Sequence, residues 1–120
     1  MKHDDVFLKH ILDETSFLLK KISPLSNRQL VNNEVSKRAR ARSLEIIGEA
    51  VKNLSEEFKD SHPEIGWKRI AGMRDKIIHA YFGVNWDIVG DVIENHIPKL
   101  HEVVKRSLRR RISGRSRNKG

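Results

Sequence analysis

The stretch Ala39-Arg40-Ala41-Arg42-Ser43-Leu44-Glu45-Ile46-Ile47-Gly48-Glu49-Ala50-Val51-Lys52-Asn53-Leu54 decides the fold. Ala39, Ser43, Ile46, Ile47, Ala50, Val51 and Leu54, continued by Phe58, recur at three- and four-residue steps with charges on the other face. That period predicts a long amphipathic helix from about residue 34. Upstream, from residue 4, Leu8, Ile11, Leu12, Thr15, Leu18, Leu19 and Ile22 repeat the pattern as far as Ser23-Pro24, because the residue before a proline is pushed out of the helical region. Ser26 with Gln29 has capping-box spacing and predicts another helical start, interrupted by Asn32-Asn33. Downstream, Ser61-His62-Pro63-Glu64 repeats that spacing, and Gly66 loosens the approach to a third major helix over Trp67 to Tyr81. Gly83 reads as a stop and Asn85 as the N-cap of a stripe through Trp86, Val89, Val92, Ile93, Ile97, Leu100, Val104 and Leu108. Pro98 should kink or restart that helix near Asn95 to Ile97. There is no alternating-polarity run, internal repeat or glycine-rich phosphate loop. The fold class is all-α, a bundle of four or five helices joined by short turns.

The length of 120 residues fits one domain, and 38% hydrophobic with 33% charged residues leaves enough apolar material for a core. No apolar run approaches the roughly 18 residues that span a bilayer, so no membrane partner is expected. The N-terminus turns acidic at Asp4-Asp5 before any apolar stretch, unlike a secretory signal. With no cysteine, thiolate chemistry is excluded, and a cytoplasmic location is compatible. The net charge of +8 is concentrated at one end. Residues 105–120 hold eight basic residues and no acid, leaving 16 basic against 16 acidic in 1–104. The expected organisation is therefore a helical domain over 1–104 and a basic tail over 105–120, the end of the last helix followed by a flexible segment. Such a tail, with Arg109, Arg110 and Arg111, can neutralise RNA phosphates, or it can be a solvated terminus.

The densest cluster of reactive side chains is Met73-Arg74-Asp75-Lys76-Ile77-Ile78-His79-Ala80-Tyr81. Asp75 and His79 are four apart and share a helix face, where the carboxylate could orient the imidazole. Arg74 and Tyr81, seven apart, also share a face. Arg74 and His79 are five apart, about 140° around an ideal helix, so one straight helix does not aim both at a single phosphate. Histidine titrates near neutrality and arginine offers a fork for phosphate oxygens, a pairing that suits phosphodiester cleavage. By themselves these residues also fit a structural or solvated His79.

The chain resembles the HepT-like branch of the HEPN family. The resemblance is carried by Leu44 to Ala50, Leu54-Ser55-Glu56-Glu57-Phe58, His62-Pro63-Glu64-Ile65, and Trp67 to Val84 with Ala71-Gly72-Met73-Arg74, His79 and Tyr81-Phe82-Gly83-Val84. It covers most of residues 5–104. The family's signature is an arginine, four to six residues, a histidine, and often one residue and a tyrosine, matched here by Arg74, His79 and Tyr81. The resemblance implies a HEPN-type bundle and a ribonuclease toxin of a type II or type VII-like toxin-antitoxin pair. It implies a homodimer whose two motifs face one cleft, which would resolve the 140° problem. His79 would activate the ribose 2′-hydroxyl or protonate the leaving 5′-oxygen, and Arg74 would stabilise charge on the phosphate of a tRNA or mRNA substrate. Neither metal nor cofactor is implied, and the products would carry a 2′,3′-cyclic phosphate and a 5′-hydroxyl. The implied partner is a minimal nucleotidyltransferase antitoxin, with Tyr81 the acceptor of an inhibitory AMP. Asp75 stands where the family often has asparagine and adds negative charge beside the site, while Lys76 is a candidate RNA contact.

Other signals carry blander readings. The six histidines show no zinc-ligand spacing. Lys37, Arg38, Arg40 and Arg42 could line an RNA path or form a solvated face. Trp67 and Trp86 could stack on bases, but packing or dimer contact is the ordinary use of such residues. Glu45 and Glu49 could pair with Lys52 or reach the motif helix. Two rival functions remain open in the sequence: a non-catalytic helical partner of a nucleotidyltransferase, and an RNA-binding protein that acts through its basic tail.

Overall fold

The computed structural model describes the backbone of residues 2–22 and 33–118. Helix α1 spans Lys2–Phe17 and continues as a π-turn over Leu18–Ile22. Its predicted stripe is the buried one, with Leu8, Ile11, Thr15 and Leu18 inaccessible to solvent. The stop expected at Ser23-Pro24 and the capping pair Ser26 and Gln29 lie outside the described residues.

Helix α2 spans Glu34–Asn53, and Asn33 caps it by accepting a hydrogen bond from the Ser36 amide at 3.1 Å. The predicted stripe runs on to Phe58, but the helix does not. It stops at Leu54, and Ser55 opens the short helix α3, Glu56–Asp60, by accepting from the Phe58 amide at 3.1 Å. The break is fixed from outside. The buried Asp4 carboxylate accepts from the Ser55 amide at 2.9 Å and from its hydroxyl at 2.7 Å, tying the start of α1 to this corner. Phe58 still reaches the core, so the periodicity located the buried face and missed the cap within it.

The capping box expected at Ser61 is not formed. Ser61 ends α3, its hydroxyl donating to the Glu57 carbonyl at 2.9 Å, and helix α4, Trp67–His79, starts from Gly66 without a side-chain cap. Trp67 anchors that start by donating from Nε1 to the carbonyls of Lys59 and His62 at 3.1 and 3.0 Å. Helix α4 ends two residues before Tyr81, at His79, and Tyr81–Gly83 forms a separate 3-10 turn. Asn85 then caps helix α5, Trp86–Asn95, accepting from the amides of Asp87 and Ile88. The interruption expected near Pro98 falls at His96. Helix α6, Ile97–Asn118, carries the proline in its first turn, where no helical hydrogen bond is lost.

The architecture is all-α, with five helices of ten residues or more and no strand among the described residues. Helix α2 is central and packs on both α1 and α4, while α6 packs on α1 and α5. No described helix is long and apolar enough to cross a membrane. Core packing continues past residue 104, because Ser107 and Leu108 are buried and Arg111 donates to Asp5 at 2.7 Å. The backbone of the basic segment remains helical to Asn118. Arg111, expected as an RNA contact, is thus held by α1, whereas Arg109 and Arg110 are exposed.

Candidate active site

The contact between α2 and α4 sets the geometry. A Cβ built on Gly48 would lie 2.2 Å from Arg74 Cβ and 2.8 Å from Arg74 Cγ. Only glycine lets α4 lie this close, and the stem of Arg74 fills the space a side chain on α2 would take. Val51 and Lys52 line one hollow with Lys68 and Ala71, while Arg42 and Glu45 line another with Ile77 and Ile78, so the two helices run antiparallel.

The Arg74 side chain is 24% exposed, with Nη2 donating to Glu49 Oε2 and Nη1 to Asp75 Oδ1, both at 2.9 Å. Its Nε is buried without a hydrogen-bond partner among the described residues. Asp75 also accepts from Lys52 Nζ at 2.7 Å. The hydrogen bond from Lys52 and then that from Arg74 hold the Asp75 carboxyl below its ordinary pKa. The chain Lys52, Asp75, Arg74, Glu49 thus fixes the guanidinium from two sides. Glu49, one of two carboxylates the sequence offered for this reach, makes the contact, while Glu45 pairs with Arg42 at 3.2 Å. Gly48 and Lys52 were legible only as a glycine inside a helical stripe and a surface lysine. An interior helical glycine that weakens its own helix is a signal of close packing.

His79 is the last residue of α4, exposed, and without a side-chain hydrogen bond among the described residues. The expected support from Asp75 is absent, because that carboxylate is turned to Lys52 and Arg74 instead. Lys76 is exposed on the same helix, lining a hollow with Met73, Ala80, Val84 and Ile88. Phe82, on the adjoining turn, is 95% exposed.

Tyr81 is not on the Arg74 helix, so their seven-residue spacing does not put them on one face. Its ring packs edge-on against Trp86 with centroids 5.8 Å apart, and its hydroxyl oxygen is buried without a hydrogen-bond partner among the described residues. The basic run of α2 surrounds this aromatic pair. Arg40 lies 5.1 Å and Lys37 5.6 Å from the Trp86 ring, and Arg38 lies 5.8 Å from Tyr81. Arg40 is only 1% exposed, which departs from a solvated face. The Trp86 ring face supplies negative potential that offsets part of the cost of burying this charge. Burial lowers its pKa from the ordinary value, opposed by the nearby Tyr81. Both tryptophans therefore serve packing. No cluster of three or more His, Cys, Asp or Glu side chains suited to a metal ion occurs among the described residues.

The profile of the family described as Ribonuclease HepT-like matches residues 11–107. A protein of Caldanaerobacter subterraneus subsp. tengcongensis, whose name marks it as a candidate RNase, is 49% identical over 110 residues, 92% of this chain and 98% of its own. A candidate RNase of Methanocaldococcus jannaschii is 37% identical over 103 residues, 82% of this chain and 85% of its own. A protein of Thermococcus cleftensis named as a candidate ribonuclease HepT is 54% identical over 59 residues, 49% of this chain and 54% of its own. No solved structure matches significantly.

Proposed function

The chain belongs to the HepT-like ribonuclease family, and from that premise we propose that it cleaves RNA with Arg74 and His79, as the toxin of a toxin-antitoxin pair. One observation carries the assignment of roles. Arg74 is locked by packing and two carboxylates, as a group that must meet a phosphate in fixed geometry should be, while His79 stands exposed at the helix end. The ribose 2′-oxygen attacks phosphorus, the bond to the 5′-oxygen breaks, and the products are a 2′,3′-cyclic phosphate and a 5′-hydroxyl. His79 takes the 2′-hydroxyl proton or gives a proton to the leaving oxygen, and Arg74 stabilises the charge gathering on the phosphate oxygens. No metal ion takes part in this scheme.

Two copies would supply both proton transfers. The support for a homodimer is the exposed Phe82 next to the hollow lined by Met73, Ala80, Val84 and Ile88 with Lys76 and Asn85 at its polar side, a protruding ring and a recess that a two-fold axis can pair reciprocally. Silencing is assigned to a nucleotidyltransferase antitoxin that transfers AMP from ATP to the Tyr81 hydroxyl, the new O–P bond replacing the one to the released pyrophosphate. The Tyr81–Gly83 turn must open for this, because the acceptor hydroxyl is buried. A buried hydroxyl without a partner forgoes about 1–3 kcal/mol, so exposing it offsets part of the opening cost.

The test incubates purified wild-type and His79→Ala protein with cellular RNA in EDTA and analyses the RNA ends. Cyclic phosphates produced by wild type and lost in the variant support the reading. Intact RNA from wild-type protein whose intact mass shows no adduct refutes it and favours the non-catalytic partner.

A further inference from the structure

An open groove runs between α2 and the end of α4, lined by Arg38, Arg42, Glu45, Ile77, Ile78 and Tyr81. Arg38 and Arg42 are one helical turn apart, so they share a face, with a rise of about 6 Å between them. Their side chains are 68% and 71% exposed, and their carboxylate partners, Glu34 at 3.6 Å and Glu45 at 3.2 Å, form surface pairs. Such pairs are weak in water and exchange readily for a phosphate, which binds a guanidinium through two oxygens. The opposite wall is apolar and aromatic. It includes the half-exposed Ile78 and Tyr81, the residues on either side of the His79-Ala80 pair.

We propose that this groove is the track for single-stranded RNA leading to the scissile bond, with Arg38 and Arg42 each holding a backbone phosphate and Ile78 with Tyr81 receiving an unstacked base. The inference rests on the ribonuclease reading above and assigns it a substrate class. Two arginines on one wall, one of them paired with Glu45, and apolar surface on the other match the two faces of a single strand, whose bases are free to leave the stack. A duplex keeps its bases inside and has no use for the apolar wall. Arg38 has a second role, since its guanidinium lies over the Tyr81 ring and holds that wall in place. An AMP carried by Tyr81 after its turn has opened would occupy the track, so the modified protein should lose RNA binding as well as cleavage.

The test measures binding of a labelled oligouridine with 2′-O-methyl riboses, which cannot be cleaved by 2′-hydroxyl attack, across a salt series. Wild-type protein is compared with Arg38→Ala/Arg42→Ala and with a charge-matched control, Lys9→Ala/Lys99→Ala, at exposed positions on α1 and α6. Circular dichroism checks that each variant is folded. The groove variant is expected to bind at least tenfold more weakly. Its plot of log affinity against log salt should be shallower by about 1.4, because each phosphate contact on a single strand contributes about 0.7. The control should stay within twofold of wild type, and an oligouridine–oligoadenosine duplex should compete poorly. An unchanged slope in the groove variant, an equal loss in the control, or no binding by wild type overturns the track. Cleavage of unmodified RNA by the same proteins separates the two readings. Groove-dependent binding without cleavage keeps the track and removes the nuclease, whereas cleavage that ignores Arg38 and Arg42 removes the track alone.

Discussion

At Gly48 the sign of a substitution tells more than its size. Replacing an interior helical glycine by alanine ordinarily stabilises a protein by about 0.5–1 kcal/mol. Here the new methyl meets Arg74 Cβ and Cγ, the root of a side chain rather than its flexible end. Gly48→Ala should therefore destabilise by about 1–3 kcal/mol, and RNA cleavage should fall as Arg74 is displaced. Urea unfolding and a cleavage assay measure both, and a stabilised, fully active variant would show that α2 and α4 do not touch here. The arginine and histidine themselves were legible in the sequence. Their environment was not, because an i,i+4 rule pairs Asp75 with His79 while the tertiary contact offers Asp75 a lysine and an arginine instead. Local spacing limits which residues can meet, and packing against another helix selects among them.

The same contrast governs the helices. Three stripes of three- and four-residue period are readable, and each marks a buried face, the last of them shared by α5 and α6. The misread positions are caps. Ser55 is hidden inside a continuous stripe, and the capping-box spacing at Ser61 is overridden by its place at the end of α3. Between elements, the seam of α1 and α6 makes two checkable statements. The Thr15 hydroxyl lies 3.2 Å from the Leu12 carbonyl and shares a 2.9 Å hydrogen bond with His101 Nδ1. Burial, then Lys105, with Lys20 adding and Glu102 opposing, lowers the His101 pKa from 6.5. The unfolded chain then binds the proton more readily than the folded one. Stability from this group is complete above about pH 6.5 and is lost as pH falls through the lower folded value. His101→Gln, whose amide can hydrogen-bond Thr15 in either direction, should flatten that acid limb in melts recorded from pH 7 to pH 5. Farther along the seam, Arg111→Ala leaves the buried Asp5 carboxylate without its ion pair to α6. It should cost about 1–3 kcal/mol in denaturant titrations, while a change at the exposed Arg109 should cost almost nothing.

At the scale of the whole molecule, the charge count read the basic segment as an appendage, whereas Leu108 and Arg111 show its first turns belong to the bundle. Composition averages over positions and cannot see that one face of a basic helix is apolar. The assembled particle makes a further prediction. Phe82→Asp should put a charge at the surface assigned to the second copy and yield a monomer in sedimentation, with cleavage lost and the melting temperature nearly unchanged. A dimer that survives the change would move the shared surface elsewhere. The ties between α1 and α6 also impose an order in time. Asp5 and Thr15 leave the ribosome long before their partners, Arg111 and His101, which lie 106 and 86 residues away in sequence. Helix α1 can settle on α2 early, but its other face waits for α6, and closing so long a loop is slow rather than forbidden. During that wait the nascent chain already displays Arg74 and His79 on a bundle that is not yet closed. On the proposed ribonuclease reading, an activity that needs the closed bundle would then begin only once α6 is made, later than the synthesis of Arg74 and His79 themselves.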